Sequence, residues 1–215
     1  MHMLSSVSPV GLMSNAMLVL GIVVGTALSG CSPAPAPRSD REEQPRPSLL
    51  ARQAASVRAG RTDWIAIESE PVTDEDLRQL GDLTALRELL IEQGSITDAG
   101  LDHLSRMAGL EHLRLRGAAV TTAGICKLTH LKRLRILNLP QAEFTDAALA
   151  ELVRLPDLEL LRFGSPHVTD AGLVHLRRMA QLRFVHIIGT PLTDAGLRQF
   201  EGLRELESLY RMALG

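Results

Sequence analysis

Two cysteines and seven histidines are the residues of this 215-residue chain best suited to nucleophilic, acid–base or metal chemistry. Cys126 stands four places before His130, one turn along a helix, so the imidazole is in reach of the thiol proton. A working thiol also needs a group to orient its base and donors for the developing oxyanion, and the sequence offers neither. His103, His112, His130, His167, His175 and His186 occupy unrelated positions of the pattern described next, without acidic or cysteine neighbours at ligand spacing. No G-x-G-x-x-G, P-loop or G-x-S-x-G segment occurs. No catalytic, metal or cofactor site is therefore expected, enzyme activity is not expected, and Cys126 reads as an ordinary residue of an outer, variable column.

What positions every side chain is a repeat. A segment of the form V-T-D-A-G-L, followed by leucines at fixed spacing, begins at Val72, Ile96, Val120, Phe144, Val168 and Leu192, each 24 residues after the last. A fixed period in this range implies a solenoid, whose units bury their apolar faces only by stacking on one another. Adding 24 along the chain gives nearly pure aliphatic columns, such as Leu86, Leu110, Leu134, Leu158, Leu182 and Leu206. Leu89 and Ile91 are two apart, the spacing of a strand, while Leu101 and Leu104 are three apart, the spacing of a helix. Each unit is thus one short strand and one short helix. Thr73, Thr97, Thr121, Thr145, Thr169 and Thr193 mark the helix starts, their hydroxyls able to accept a first-turn amide, and the Asp that usually follows suits the positive end of the helix. Small residues after it, as in Ala171-Gly172, are expected to let neighbouring helices pack at strand spacing. Subtracting 24 from the first copy finds a further strand, Trp64-Ile65-Ala66-Ile67, preceded by a helical stretch from Ser48 to Arg61 without the repeat pattern. Residues 48–71 are therefore expected to form an N-terminal cap and first strand, and residues 72–215 six repeats.

The strand core L-x-x-L-x-L, as in Leu110-x-x-Leu113-x-Leu115 and Leu134-x-x-Leu137-x-Leu139, resembles the leucine-rich-repeat family. The V-T-D-A-G-L lead-in is similar to bacterial members and to the cysteine-containing subfamily used by F-box adaptors. This resemblance, over residues 62–215, implies an α/β solenoid with a parallel β-sheet on the concave face and short helices on the convex face. It also implies binding rather than catalysis. The family's Asn or Cys after the strand is replaced here by Gly94, Ala118, Ala142, Pro166 and Thr190, so a side-chain ladder at that place is expected to be largely missing.

Residues 1–31 carry no Lys, Arg, Asp or Glu, and the apolar run from Met17 ends in Leu28-Ser29-Gly30-Cys31. This resembles a bacterial lipoprotein signal peptide, in which Cys31 receives the lipid; an uncleaved membrane helix over Val10 to Leu28 is the alternative. Residues 32–47, with five prolines, read as an extended tether reaching up to about 50 Å at roughly 3 Å per residue. The expected location is the bacterial cell envelope, lipid-anchored to a membrane. With Cys31 consumed by lipid, Cys126 has no disulfide partner.

Residues that alternate with the inward columns face the concave side. There Ile136, Leu160 and Phe184 should lie side by side about 4.8 Å apart, bordered by Arg114, Arg116, Arg162, His186 and Tyr210. An apolar strip with Arg and aromatic flanks has the composition of an interface core, so a protein partner is expected on this face. Asp63, Arg87, Glu111, Arg135, Glu159, Arg183 and Glu207 alternate in sign and should form a ladder that sets register. Two alternatives remain: self-association through an uncapped last repeat, with Met212 and Leu214 folding back as the other way to cover it, or anionic headgroup or glycan binding by the convex column Arg106, His130, Arg154 and Arg178. A formal net charge of −2 and a pI near 6.4 argue against nucleic acid.

Overall fold

Aliphatic residues at alternate positions, recurring every 24 residues, make each strand buriable only against its own repeat in the next unit. In the computed structural model, which describes residues 47–212, this yields one seven-stranded parallel sheet. Its strands are β1 (Trp64–Ile67), β3 (Glu88–Ile91), β5 (His112–Leu115), β6 (Ile136–Leu139), β7 (Leu160–Phe163), β8 (Phe184–Ile188) and β9 (Ser208–Met212), side by side in that order. A minor pair, β2 (Val72–Thr73) and β4 (Gly94–Ser95), lies outside it. Every pairing within the seven-stranded sheet joins a residue to the one 24 later, so Ile65, Leu89, Leu113, Leu137, Leu161, Val185 and Leu209 form one row across it. Because strands follow one another in space as in sequence, the chain is a solenoid with a parallel sheet on one face and helices on the other. The signal peptide expected over residues 1–31, the lipid-bearing Cys31, nearly all of the tether and Leu214 lie outside the described residues.

The helical side carries α1 (Leu49–Arg58), α2 (Asp74–Arg78), α3 (Asp98–Leu104), α4 (Thr122–Leu128), α5 (Asp146–Leu152), α6 (Asp170–Leu173) and α7 (Asp194–Leu197), the last two each continued by a turn of 3₁₀ helix. Between the layers runs a continuous aliphatic core in which Leu86, Leu110, Leu134, Leu137 and Leu182 are fully buried. Among the described residues, no helix is long and apolar enough to cross a membrane.

The helix starts hold more than the caps the sequence suggests. Thr73 and Asp76 form a full capping box, and the hydroxyls of Thr97, Thr121, Thr169 and Thr193 each accept from an amide of their own first turn. The Asp after Thr73, Thr97, Thr145 and Thr169 does not merely complement its own helix end. Its carboxylate reaches the next repeat: Asp74 accepts from the Thr97 N–H at 2.8 Å and hydroxyl at 2.6 Å, and Asp146 from the Thr169 N–H and hydroxyl, both at 2.7 Å. Asp98 and Asp170 make the same pair of bonds to Thr121 and Thr193. At Asp170 these bonds hold the carboxyl below its ordinary range, the Thr193 hydroxyl contributing most.

This ladder explains the glycines. A Cβ on Gly100, Gly124, Gly172 or Gly196 would collide with the carboxylate arriving from the previous unit. Where Thr122 replaces that Asp, the following glycine is replaced too, by the fully buried Ala148. Thr122 Oγ1 then accepts the Thr145 N–H at 3.1 Å, and Thr145 alone of these threonines lacks a cap bond of its own.

The first strand is closed by α1, which buries Leu50, Ala54 and Val57. Gln53 treats β1 as a strand neighbour would: its Oε1 accepts the Ala66 N–H at 2.8 Å and its Nε2 donates to the Ala66 carbonyl at 2.9 Å. A sheet edge left open invites pairing with other chains. At the opposite edge Leu209, Tyr210 and Met212 of β9 are exposed.

Candidate functional site

The concave face is built by the strand residues that point away from the core. Register places Ile136 beside Leu160 and Leu160 beside Phe184, so the three side chains form a continuous strip. Each is half-buried, because its neighbours on both sides shield it. His112 and Ser208 continue the row at its two ends.

One flank of the strip is the alternating charge column. Its backbone explains its regularity: the amides of Arg87, Glu111, Arg135, Glu159, Arg183 and Glu207 each donate to the carbonyl of the column member one unit earlier, at 2.7 to 2.9 Å. The side chains therefore stand at strand spacing. Arg87 pairs with Glu111 and lies 3.7 Å from Asp63, Arg135 pairs with Glu159 at 2.8 Å, and Arg183 lies between Glu159 and Glu207. Glu111 and Arg135 do not pair directly among these contacts. The flank is thus largely self-neutralised, with the Arg183 guanidinium also sitting 5.3 Å from the centre of the Phe184 ring.

The other flank is not neutralised. Arg114, Asn138, Arg162 and His186 are successive partners across β5 to β8, and Tyr210 follows on β9. Arg114 and Arg116 share one carboxylate, Glu92, at 3.0 and 3.2 Å. Arg162 forms no ion pair among the described residues. Asn138 is 8% exposed, and its Oδ1, like the Nε of Arg114 and of Arg162, is buried without a hydrogen-bond partner among the described residues. These residues, with Arg116, Pro140 and Ile188, line a hollow of about 210 Å³. His186 packs edge-on against Tyr210 with ring centres 5.9 Å apart, and its pKa lies below the ordinary histidine value through burial first and the nearby Arg162 second.

The structure thus assembles Ile136, Leu160, Phe184, Arg114, Arg116, Arg162, His186 and Tyr210 on one surface. The sharing of Glu92 by two arginines was open to sequence reasoning, since Glu92 and Arg116 are 24 apart. Burial of Asn138, which stands between Arg114 and Arg162 in the row, was not, because spacing along the chain does not set how side chains of adjacent units pack. Elsewhere, Arg154 of the convex basic column pairs with Glu151 at 3.1 Å, and Lys127 beside that column pairs with Asp102 at 2.8 Å. Cys126 is exposed on α4. Among the described residues no group of three His, Cys, Asp or Glu could hold a metal ion.

No protein-family model matches the sequence, and no curated protein matches it either. Among solved structures, an internalin (inlF) of Listeria monocytogenes superposes with a TM-score of 0.58 at 16% identity, covering 75% of this chain and 50% of that one. Internalin C2 of the same organism superposes with a TM-score of 0.50 at 17% identity, covering 74% of this chain and 83% of that one. The chain spans about half the length of the first of these. At such identities the likeness is one of fold, and it agrees with the sheet and helices described above: the architecture is an α/β leucine-rich-repeat solenoid.

Proposed function

We propose that this chain is a non-enzymatic protein-binding module, held at a bacterial envelope membrane by lipid on Cys31 and recognising its partner on the concave face. The observation that carries the reading is the strip Ile136–Leu160–Phe184, continuous in register and bordered by Arg162, His186 and Tyr210. Apolar contact in the strip would supply affinity and the flanking cations orientation. The repeat fold supports a binding role, since it presents a broad concave surface of seven strands. A leader ending in Leu-Ser-Gly-Cys supports the anchor.

The test is affinity capture from the native envelope with residues 32–215 as bait, beside the same bait carrying Ile136→Glu, Leu160→Glu and Phe184→Glu, shown first to be folded. A protein retained by the first bait and lost from the second supports the reading; retention by both refutes the concave site. Labelling of the intact chain with a traceable fatty acid, lost on Cys31→Ala, tests the anchor. Exposure of Leu209, Tyr210 and Met212 on β9 favours a second reading, self-association at that edge, for which mass rising with concentration is the signature.

A further inference from the structure

The hollow beside the strip has unmet requirements that the strip does not explain. Arg114, Arg116 and Arg162 line the hollow; the first two share the Glu92 carboxylate, and Arg162 forms no ion pair among the described residues. A guanidinium without its own carboxylate is a fork that a carboxylate from outside can pair with. The Asn138 Oδ1 in the same place is an acceptor that wants a donor, a need that a bare anion cannot meet. A group that brings both a carboxylate and an N–H is an acidic residue of a polypeptide.

We propose that the hollow receives an acidic residue of an extended peptide, its carboxylate held by the guanidinium groups of Arg162 and Arg114 and its backbone N–H donating to Asn138 Oδ1. This rests on the protein-binding reading above and specifies the partner's chemistry. Spacing specifies it further. Leu160 and Arg162 are two residues apart on β7, about 7 Å along the strand, which is the separation of two side chains on one face of an extended peptide. The partner segment therefore carries an apolar residue, any residue, and then Asp or Glu. A phosphate dianion matches the charge but supplies no donor for Asn138.

The experiment is a nuclear magnetic resonance titration of the full-length chain in detergent micelles, following the Arg Nε–H and Asn side-chain signals. The probes are acetyl-Leu-Ala-Glu-amide, acetyl-Leu-Ala-Gln-amide, acetyl-Ala-Ala-Glu-amide and inorganic phosphate. Saturable shifts of Arg162, Arg114 and Asn138 are expected with the first probe, at least tenfold weaker binding with the Gln probe, and at least tenfold loss in Arg162→Gln with the remaining spectrum unchanged. Arg162→Lys, which keeps the charge without the fork, should fall between. If acetyl-Ala-Ala-Glu-amide binds as well as the leucine probe, the acidic site stands and the apolar strip falls; weaker binding supports both. Equal response to the Glu and Gln probes, or no saturable response, overturns the proposal. So does saturable binding of phosphate without binding of the Glu probe.

Discussion

Replacing Gly172 with alanine would place a methyl group in collision with Asp146 Oδ1, 2.8 Å from its Cγ and 3.0 Å from its Cα. Helix propensity alone favours alanine over glycine by about 1 kcal/mol, so without this neighbour the substitution would stabilise. The carboxylate cannot step aside without giving up the two bonds it accepts from Thr169, each at 2.7 Å. Overpacking of a close-packed site costs about 1–3 kcal/mol, so Gly172→Ala is expected to destabilise by roughly 1–2 kcal/mol after the propensity gain. Asp146→Thr alone should cost about 1 kcal/mol, the usual worth of a partly exposed hydrogen bond. The double variant reproduces the pair already present one unit earlier, Thr122 with Ala148, in which the alanine is fully buried without conflict. It should therefore be more stable than the two single effects predict, by about 1–2 kcal/mol. Denaturant unfolding of the four proteins measures that coupling directly. Coupling within about 0.5 kcal/mol of zero would refute the argument that glycine is required by the carboxylate, and would leave close helix packing as its reason.

Gln53→Leu removes both partners of the Ala66 backbone and opens the β1 edge; a loss of about 1–3 kcal/mol and greater aggregation in light scattering are expected. Leu137→Ala, in the middle of the core row, should cost about 2–5 kcal/mol by denaturant unfolding, against a much smaller effect for Leu209→Ala at the exposed edge. Burial lowers the pKa of His112, opposed by Glu88 and aided by Arg114, and burial with Arg162 lowers that of His186, which also faces Tyr210. Near and below the ordinary value of 6.5 the unfolded chain therefore binds more protons than the folded one, so stability rises with pH through this window and falls on acidification. Thermal melts between pH 7.5 and 5.5 should show the decline, and His112→Gln should flatten it.

The repeat made most of the fold legible. A strict 24-residue period puts Leu89, Leu113 and Leu137 in one row whatever the details, because a strand can bury its aliphatic face only against the same face of its neighbour. Periodicity also found the strand at Trp64–Ile67, where the lead-in motif is absent. The rows that face outward follow from the same arithmetic, which is why spacing alone puts Ile136, Leu160 and Phe184 side by side. The role of the Asp in T-D-A-G was only half visible. Its position beside a capping threonine suggests a helix end, and nothing local says that it reaches across to the next unit. The joint change to Thr122 and Ala148 was the signal for that contact, readable once positions 26 apart are compared.

Sequence alone therefore determined the period, the inward rows and the alternation of charge, since each of these depends on residue type and on spacing along one chain. Only the tertiary structure decided which polar groups end up satisfied. Gln53 can clamp β1 because α1 folds back over it, Glu92 neutralises one arginine's worth of charge for two, and Arg162 is left without an ion-pair partner among the described residues. Those outcomes turn on side chains meeting from different units at distances of about 3 Å, where a shift of one rotamer makes or breaks a bond. A period of 24 fixes the rows; it does not fix which members of adjacent rows reach each other.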